Sequence, residues 1–367
     1  MKDIRVAKLA DILVNYSVAL KSGDFVFIRS NPLAEPLIDE VLAHVLRAGG
    51  NPITQLSTDG LRETFYREAS EEQLKWVSPV DKMLISQSDV YISVGAPANT
   101  RSLTGIDPER QRIDQVAHTE IMEIFMKRSA DGELRWVSTD YPCQALAQDA
   151  DMSLRDYEDF VYRATFADQP DPIKCWREIH DKQERLVRWL KGKKQVVVRS
   201  LNVNLTLSIE GRNFINADGI NNMPCGEIFT GPVENSANGW VHFTYPAIES
   251  GREVEGVKME FKDGKVVKAS AEKNEAFLLS QLESDEGARY LGEFAIGTNY
   301  GIQKFTKNIL FDEKIGGTFH LAIGAGYPET GSVNKSAIHW DFICDMRQDS
   351  EILVDGKLFY KNGDFQV

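Results

Sequence analysis

The chain has 367 residues, 42% of them hydrophobic and 26% charged, and a formal net charge of −13. The composition is that of an ordinary folded protein, and the length suffices for two cores of typical size. A diffusely acidic surface argues against nucleic acid and anionic membranes as partners and suits small neutral or cationic substrates, or metals; no apolar run reaches the about eighteen residues that mark a membrane span.

The opening stretch, MKDIRVAKLADILVNYSVALKSGD, carries acidic residues near its start and reads as an amphipathic helix and not a signal peptide. DFVFIRS (24–30) reads as a strand, and EPLIDEVLAHVLRAGG (35–50) as a helix with a glycine stop. NPITQLS follows as a strand, and residues 84–97 supply a helix end and then another strand. Residues 108–130 predict one helix and 134–142 a strand. This alternation predicts a mostly parallel sheet with helices on both sides. Two helices come next, 153–166 and 172–192, the second with Pro172 near its first turn.

From Lys193 onward short β patterns dominate. KDGK (262–265) and VDGK (354–357) carry Asp-Gly hairpin signals, and residues 274–284 form one helical interruption. The expected architecture is therefore α/β plus β-rich. An N-terminal α/β domain with connecting helices spans 1–190, and a β-rich domain spans 191–367. Four cysteines (Cys143, Cys175, Cys225 and Cys344) occur without a C-x-x-C pair, the pattern of reduced thiols in a cytoplasmic protein.

The polar residues that stand out lie in the second half. Glu227 sits in MPCGEIFTGP and Glu293 in RYLGEFAIGTN, each beside apolar neighbours. Glu313, His320 and Tyr327 occur in ILFDEKIGGTFHLAIGAGYPETG, and His339 and Asp341 in SAIHWDFICDM. His339 and Asp341 are two apart in a strand-like run, so they point to the same side. A carboxylate in apolar surroundings loses hydration that a proton, a cation or a metal must replace. Two histidines with several carboxylates can hold a pair of divalent ions, and imidazole nitrogen favours Zn²⁺, Co²⁺ or Mn²⁺ over calcium. Two ions held close can polarise a carbonyl oxygen and lower the pKa of a water, which is hydrolase chemistry.

Each of these residues also has a structural reading. His339 and Asp341 can pair with neighbours at a sheet edge, and Glu227 can accept backbone N–H groups in its glycine-proline turn. Glu293 can form an edge salt bridge, Glu313 can belong to a solvated FDEK turn, and Tyr327 can be an ordinary half-buried tyrosine. His44, His118, His180 and His242 have no partner motif and read as structural. GAGYPETG lacks the third glycine and following helix of a dinucleotide loop and the Gly-Lys-Ser/Thr of a phosphate loop. No G-x-S-x-G nucleophile elbow and no H-E-x-x-H helix occurs.

The runs INADGINNMPCGEIFTGPVENSANG, YLGEFAIGTN and LFDEKIGGTFHLAIGAGYPETGSVNKSAIHWDF, in that order, resemble the M29 family of metalloaminopeptidases. The resemblance also covers DPIKCWREIHDKQERLVRWL and, more loosely, GIDPERQR. It implies an N-terminal α/β domain and a β-rich catalytic domain, in a homodimer that encloses its active sites. It implies removal of N-terminal residues from short peptides with a free N-terminus, using two divalent ions (Zn, Co, Mn or Mg). By motif, Glu227, Glu293, Glu313, His320, His339 and Asp341 would be metal ligands. Tyr327 would assist the transition state, and Glu293 or Glu313 would shuttle a proton. Two rival readings use the same residues: a dimetal amidohydrolase acting on a non-peptide amide, and a metal- or peptide-binding protein without turnover.

Overall fold

The computed structural model describes residues 3–249 and 251–367, and they form two compact units. The first comprises residues up to Ile173 together with Gly219–Met223. Its sheet contains β1 (Phe25–Ser30), β2 (Asn51–Leu56), β3 (Val90–Gly95) and β4 (Arg135–Asp140) in the order β2-β1-β3-β4, all parallel. Val26, Phe27 and Ile28 on β1 are buried, as expected of a parallel strand covered on both faces. The helix Glu35–Arg47 returns the chain from β1 to β2, burying Leu37, Ile38, Val41 and Val45 on one stripe.

Two features of this unit depart from the sequence pattern. The helix expected over 108–130 is two helices, Pro108–Ala117 and Thr119–Ala130. His118 between them leaves helical geometry, with ψ at 4°, and its ring Nδ1 bonds back to the Asp114 carbonyl at 2.8 Å. The sheet also gains a fifth strand from far along the chain, Asn222–Met223, which pairs parallel to β4.

The second unit comprises Lys174–Asp218 and Pro224–Val367. The helix Pro172–Leu190, which precedes the boundary expected near 190, belongs to this unit almost entirely. The reason is apolar burial: Leu186 and Leu190 share a core with Val196, Leu205, Phe294 and Phe342. That core lies between an eight-stranded antiparallel sheet and a five-stranded one. Asp263-Gly264 and Asp355-Gly356 turn two hairpins with positive φ at both residues, as the Asp-Gly signals predict. No disulfide joins the four cysteines, and among the described residues no helix is long and apolar enough to cross a membrane.

Candidate metal centre

The five-stranded sheet runs His339–Asp345, Thr318–Gly324, Leu291–Gly297, Glu227–Thr230, Ile215–Ala217. One face is apolar. Ile228, Phe294, Ile296, Phe319, Leu321, Trp340 and Phe342 point into the shared core. Alternation then sends Glu227, Glu293, His320, His339 and Asp341 to the opposite face. Register finishes the arrangement. Ala322 pairs with Glu293 on one side and Asp341 on the other, and Ala295 pairs with His320 and Phe229. The two alanines leave room at the centre of the face for the longer polar side chains around them.

These side chains converge. His320 Nε2 lies 3.2 Å from Glu293 Oε1 and 3.5 Å from Glu227 Oε2. His339 Nε2 lies 3.5 Å from Glu293 Oε2 and 3.6 Å from Asp341 Oδ1. Three groups have ligand atoms all within 4.8 Å of one another: Glu227, Glu293 and His320; Glu293, His339 and Asp341; and Glu313, His320 and Asp341. The first two share Glu293, one oxygen toward each imidazole. The structure thus brings Glu227, Glu293, Glu313, His320, His339 and Asp341 together. His44, His118, His180 and His242 lie outside these groups. His180 instead pairs with Asp218 at 2.6 Å, a partner that no sequence motif announces.

The donor set fits divalent ions. Glu227 Oε2 and Asp341 Oδ1 are buried and have no hydrogen-bond partner, which an anionic oxygen tolerates poorly without a cation. The Nδ1–H of His339 donates to the Ala325 carbonyl at 2.7 Å, so the ring offers its Nε2 lone pair to the cluster. Without an ion, a proton is the next best cation. Burial opposes charge on His320, but Glu293, Glu227 and Asp341 outweigh it and raise its pKa to about 9. Burial pushes the Asp341 carboxyl upward, against the pull of His339.

The run Phe311-Asp312-Glu313-Lys314 is not a solvated turn. Asp312 is buried and accepts from the Thr306 backbone N–H at 2.7 Å and the Thr306 hydroxyl at 2.8 Å, bracing the loop. Glu313 joins the cluster. Lys314, with its side chain 1% exposed, donates to Glu227 Oε1 at 2.7 Å and to Glu313 Oε1. Sequence reasoning passes over Lys314, because a lysine directly after Asp312 and Glu313 reads as surface.

It also passes over Gln183, a buried residue on the helix Pro172–Leu190. Its amide donates to the carbonyls of Ala217 (3.0 Å) and Glu227 (3.1 Å), fixing the strand that carries Glu227. Gly226, just before Glu227, has φ +112°, and a Cβ there would lie 2.9 Å from Asn299 Cβ. Asn299 in turn donates to the Cys225 carbonyl at 2.9 Å.

Tyr327 stands at the rim, half-buried, its ring edge-on to Phe229 and His339 with centroids 5.4 Å and 5.1 Å away. Burial, with Glu293 and Asp341 nearby, raises its hydroxyl pKa, so it is a proton donor at neutral pH.

A buried set of imidazoles and carboxylates on one sheet face suits a metal-dependent hydrolase. The chain matches the family described as thermophilic metalloprotease (M29) over residues 2–365, and it belongs to that family. It is similar to Aminopeptidase 2 of Geobacillus stearothermophilus, 29% identical over 391 residues that take in 95% of this chain and 93% of that one. Aminopeptidase AmpS of Bacillus subtilis (strain 168) is 25% identical over 402 residues, 97% of each chain. The solved structure of wild-type AmpT from Thermus thermophilus matches with a TM-score of 0.87 at 21% identity, across 99% of both chains, a likeness in fold.

Proposed function

We propose that this chain is a metal-dependent aminopeptidase that hydrolyses the N-terminal peptide bond of short peptides with two divalent ions. Family membership and the names of its relatives support the activity. The observation that carries the two-ion reading is Glu293, whose two oxygens face two different imidazoles. Glu227, Glu293 and His320 would hold one ion, and Glu293, His339 and Asp341 the other, with Glu313 adjoining both groups. Mixed nitrogen and oxygen donors favour Zn²⁺, Co²⁺ or Mn²⁺ over Mg²⁺. When bound, such ions supply Lewis acidity toward a carbonyl oxygen and lower the pKa of water.

The remaining steps fall to side chains. Tyr327, protonated at neutral pH, donates a hydrogen bond to the oxyanion that forms at the scissile carbonyl. Glu313, which belongs to neither of those two groups, takes the proton of the attacking water and passes it to the leaving amine. Each acts in a desolvated setting, which strengthens such contacts. A cluster this deep, with Glu293 4% exposed, admits the end of a chain more readily than the middle of a folded one. We further propose a cytoplasmic homodimer, in line with the absence of disulfides and with the family resemblance.

The test is metal reconstitution. The protein is chelated, Zn²⁺, Co²⁺, Mn²⁺ or Mg²⁺ is added back, and turnover is followed on dipeptides, aminoacyl p-nitroanilides and their N-acetylated analogues. Metal-dependent release of free amino acids from the unblocked substrates alone is expected. Cleavage of the N-acetylated amides would identify an amidohydrolase instead, and bound metal without turnover would identify a binding protein.

A further inference from the structure

Among the described residues Lys314 is the one lysine in the set of large, fully buried side chains, and its ammonium contacts two members of the acidic cluster. A buried ion pair is seldom retained for stability, since an apolar side chain of similar volume serves at least as well. The position therefore calls for a reason beyond packing. The two oxygens of Glu227 supply one. Oε1 is committed to the Lys314 ammonium at 2.7 Å, while Oε2 is buried, has no hydrogen-bond partner and lies 3.5 Å from His320 Nε2. Glu313 likewise gives its Oε1 to the same ammonium.

The lysine is itself held in place by backbone contacts. Its N–H donates to the Phe311 carbonyl at 3.1 Å, and its carbonyl accepts from Asn299 N–H at 3.1 Å. Asn299 also carries the contact that fits only glycine at 226, next to Glu227. Ammonium and carboxylate are thus fixed by one shared piece of backbone, although they lie 87 positions apart in sequence.

We propose that Lys314 is a positioning residue for the metal centre: by occupying one oxygen of Glu227 and one of Glu313, it leaves each carboxylate a single oxygen facing the cluster. With two divalent ions bound, the four carboxylates Glu227, Glu293, Glu313 and Asp341 would be neutralised, and the lysine would add one positive charge, which favours the oxyanion that forms at the scissile carbonyl. Without the lysine, Glu227 and Glu313 are free to turn both oxygens inward, which would raise the coordination number of an ion and weaken its Lewis acidity. The inference rests on the proposal that the cluster holds divalent ions.

The experiment compares wild type, Lys314→Met and Lys314→Arg after chelation and reloading with Co²⁺. It reads ions bound per chain, the visible d–d absorption, and kcat and KM on a dipeptide. Expected for Lys314→Met are a weakened d–d absorption, reporting a higher coordination number, and kcat lower by about 10- to 100-fold. KM should change by less than about threefold, the mark of an interaction made in the transition state. Lys314→Arg should restore part of the spectrum and of kcat; a purely structural lysine would move thermal stability and leave the absorption unchanged.

If wild type binds two ions and Lys314→Met keeps both its spectrum and its kcat, the lysine inference is overturned and the proposed function stands. If wild type binds no Co²⁺, both are overturned. Should Lys314→Met not fold, a crystal structure of the Co²⁺-loaded wild type decides the question. An ion on Glu227 Oε2 alone, with Oε1 on Lys314, supports the inference; an ion on both oxygens overturns it.

Discussion

His339 and Asp341 lie two residues apart on one strand, and the imidazole Nε2 sits 3.6 Å from the carboxylate Oδ1. Both also approach neighbours from other strands: His339 reaches Glu293, and Asp341 lies 4.0 Å from His320. The pair is therefore the corner of a larger cluster and not a closed ion pair at a sheet edge.

Replacing His339 by alanine removes one nitrogen donor from the group with Glu293 and Asp341. The side chain is partly exposed and sits outside the apolar core, so the fold should survive, with thermal stability in chelator close to wild type. Metal content should fall to about one ion per chain, and kcat/KM should drop by about 100-fold or more. Elemental analysis and peptide hydrolysis read both. Full turnover in metal-loaded His339→Ala would contradict the ligand assignment.

The raised pKa of His320 gives metal binding a pH dependence. In ion-free protein the imidazole keeps its proton to about pH 9, so an ion must displace it. Apparent affinity should rise by up to about tenfold per pH unit for each proton displaced, and level off above pH 9. The sign for stability follows. A folded-state pKa raised above the usual 6.5 stabilises fully below that value, and the contribution is lost as pH rises through about 9. Asp341, also raised, acts in the same sense, its contribution being present below the usual 3.8 and lost as pH rises through about 7. The gap in Tm between Co²⁺-loaded and chelated protein should therefore widen from pH 6 to pH 9; a constant gap would count against this account.

How far the sequence reveals the site depends on the range of each interaction. His339 and Asp341 are legible because a period of two within one strand puts them on one face. Glu293 and His320 are legible as polar residues inside apolar strands. Lys314 and Gln183 are not, because each is fixed by partners from distant parts of the chain, Glu227 lying 87 positions from the lysine and 44 from the glutamine. The same holds for the fold. The parallel sheet follows from its alternating segments, whereas the two-residue strand Asn222–Met223 has no local signal and exists only through β4. The break at His118, with ψ at 4°, has no signal in a periodicity that runs on through 108–130.

Tyr327→Phe removes one hydroxyl and keeps the ring contacts with Phe229 and His339. Metal content and Tm should be unchanged, and kcat should fall roughly 100-fold, the scale for losing one oxyanion donor. Equal losses in kcat and metal content would instead assign the tyrosine a structural part.

Gly226→Ala tests the backbone that delivers Glu227. A side chain at φ +112° costs about 1–3 kcal/mol, and the contact with Asn299 adds to it. Urea unfolding should show a lower midpoint, and metal affinity should fall with it. Unchanged values for both would mean that this turn relaxes freely.

The most direct measurement is anomalous diffraction from crystals loaded with Co²⁺ or Zn²⁺. The account predicts two peaks per chain, one among Glu227, Glu293 and His320 and one among Glu293, His339 and Asp341, with Glu293 common to both. No peak at these side chains, or a single ion away from Glu293, would contradict it.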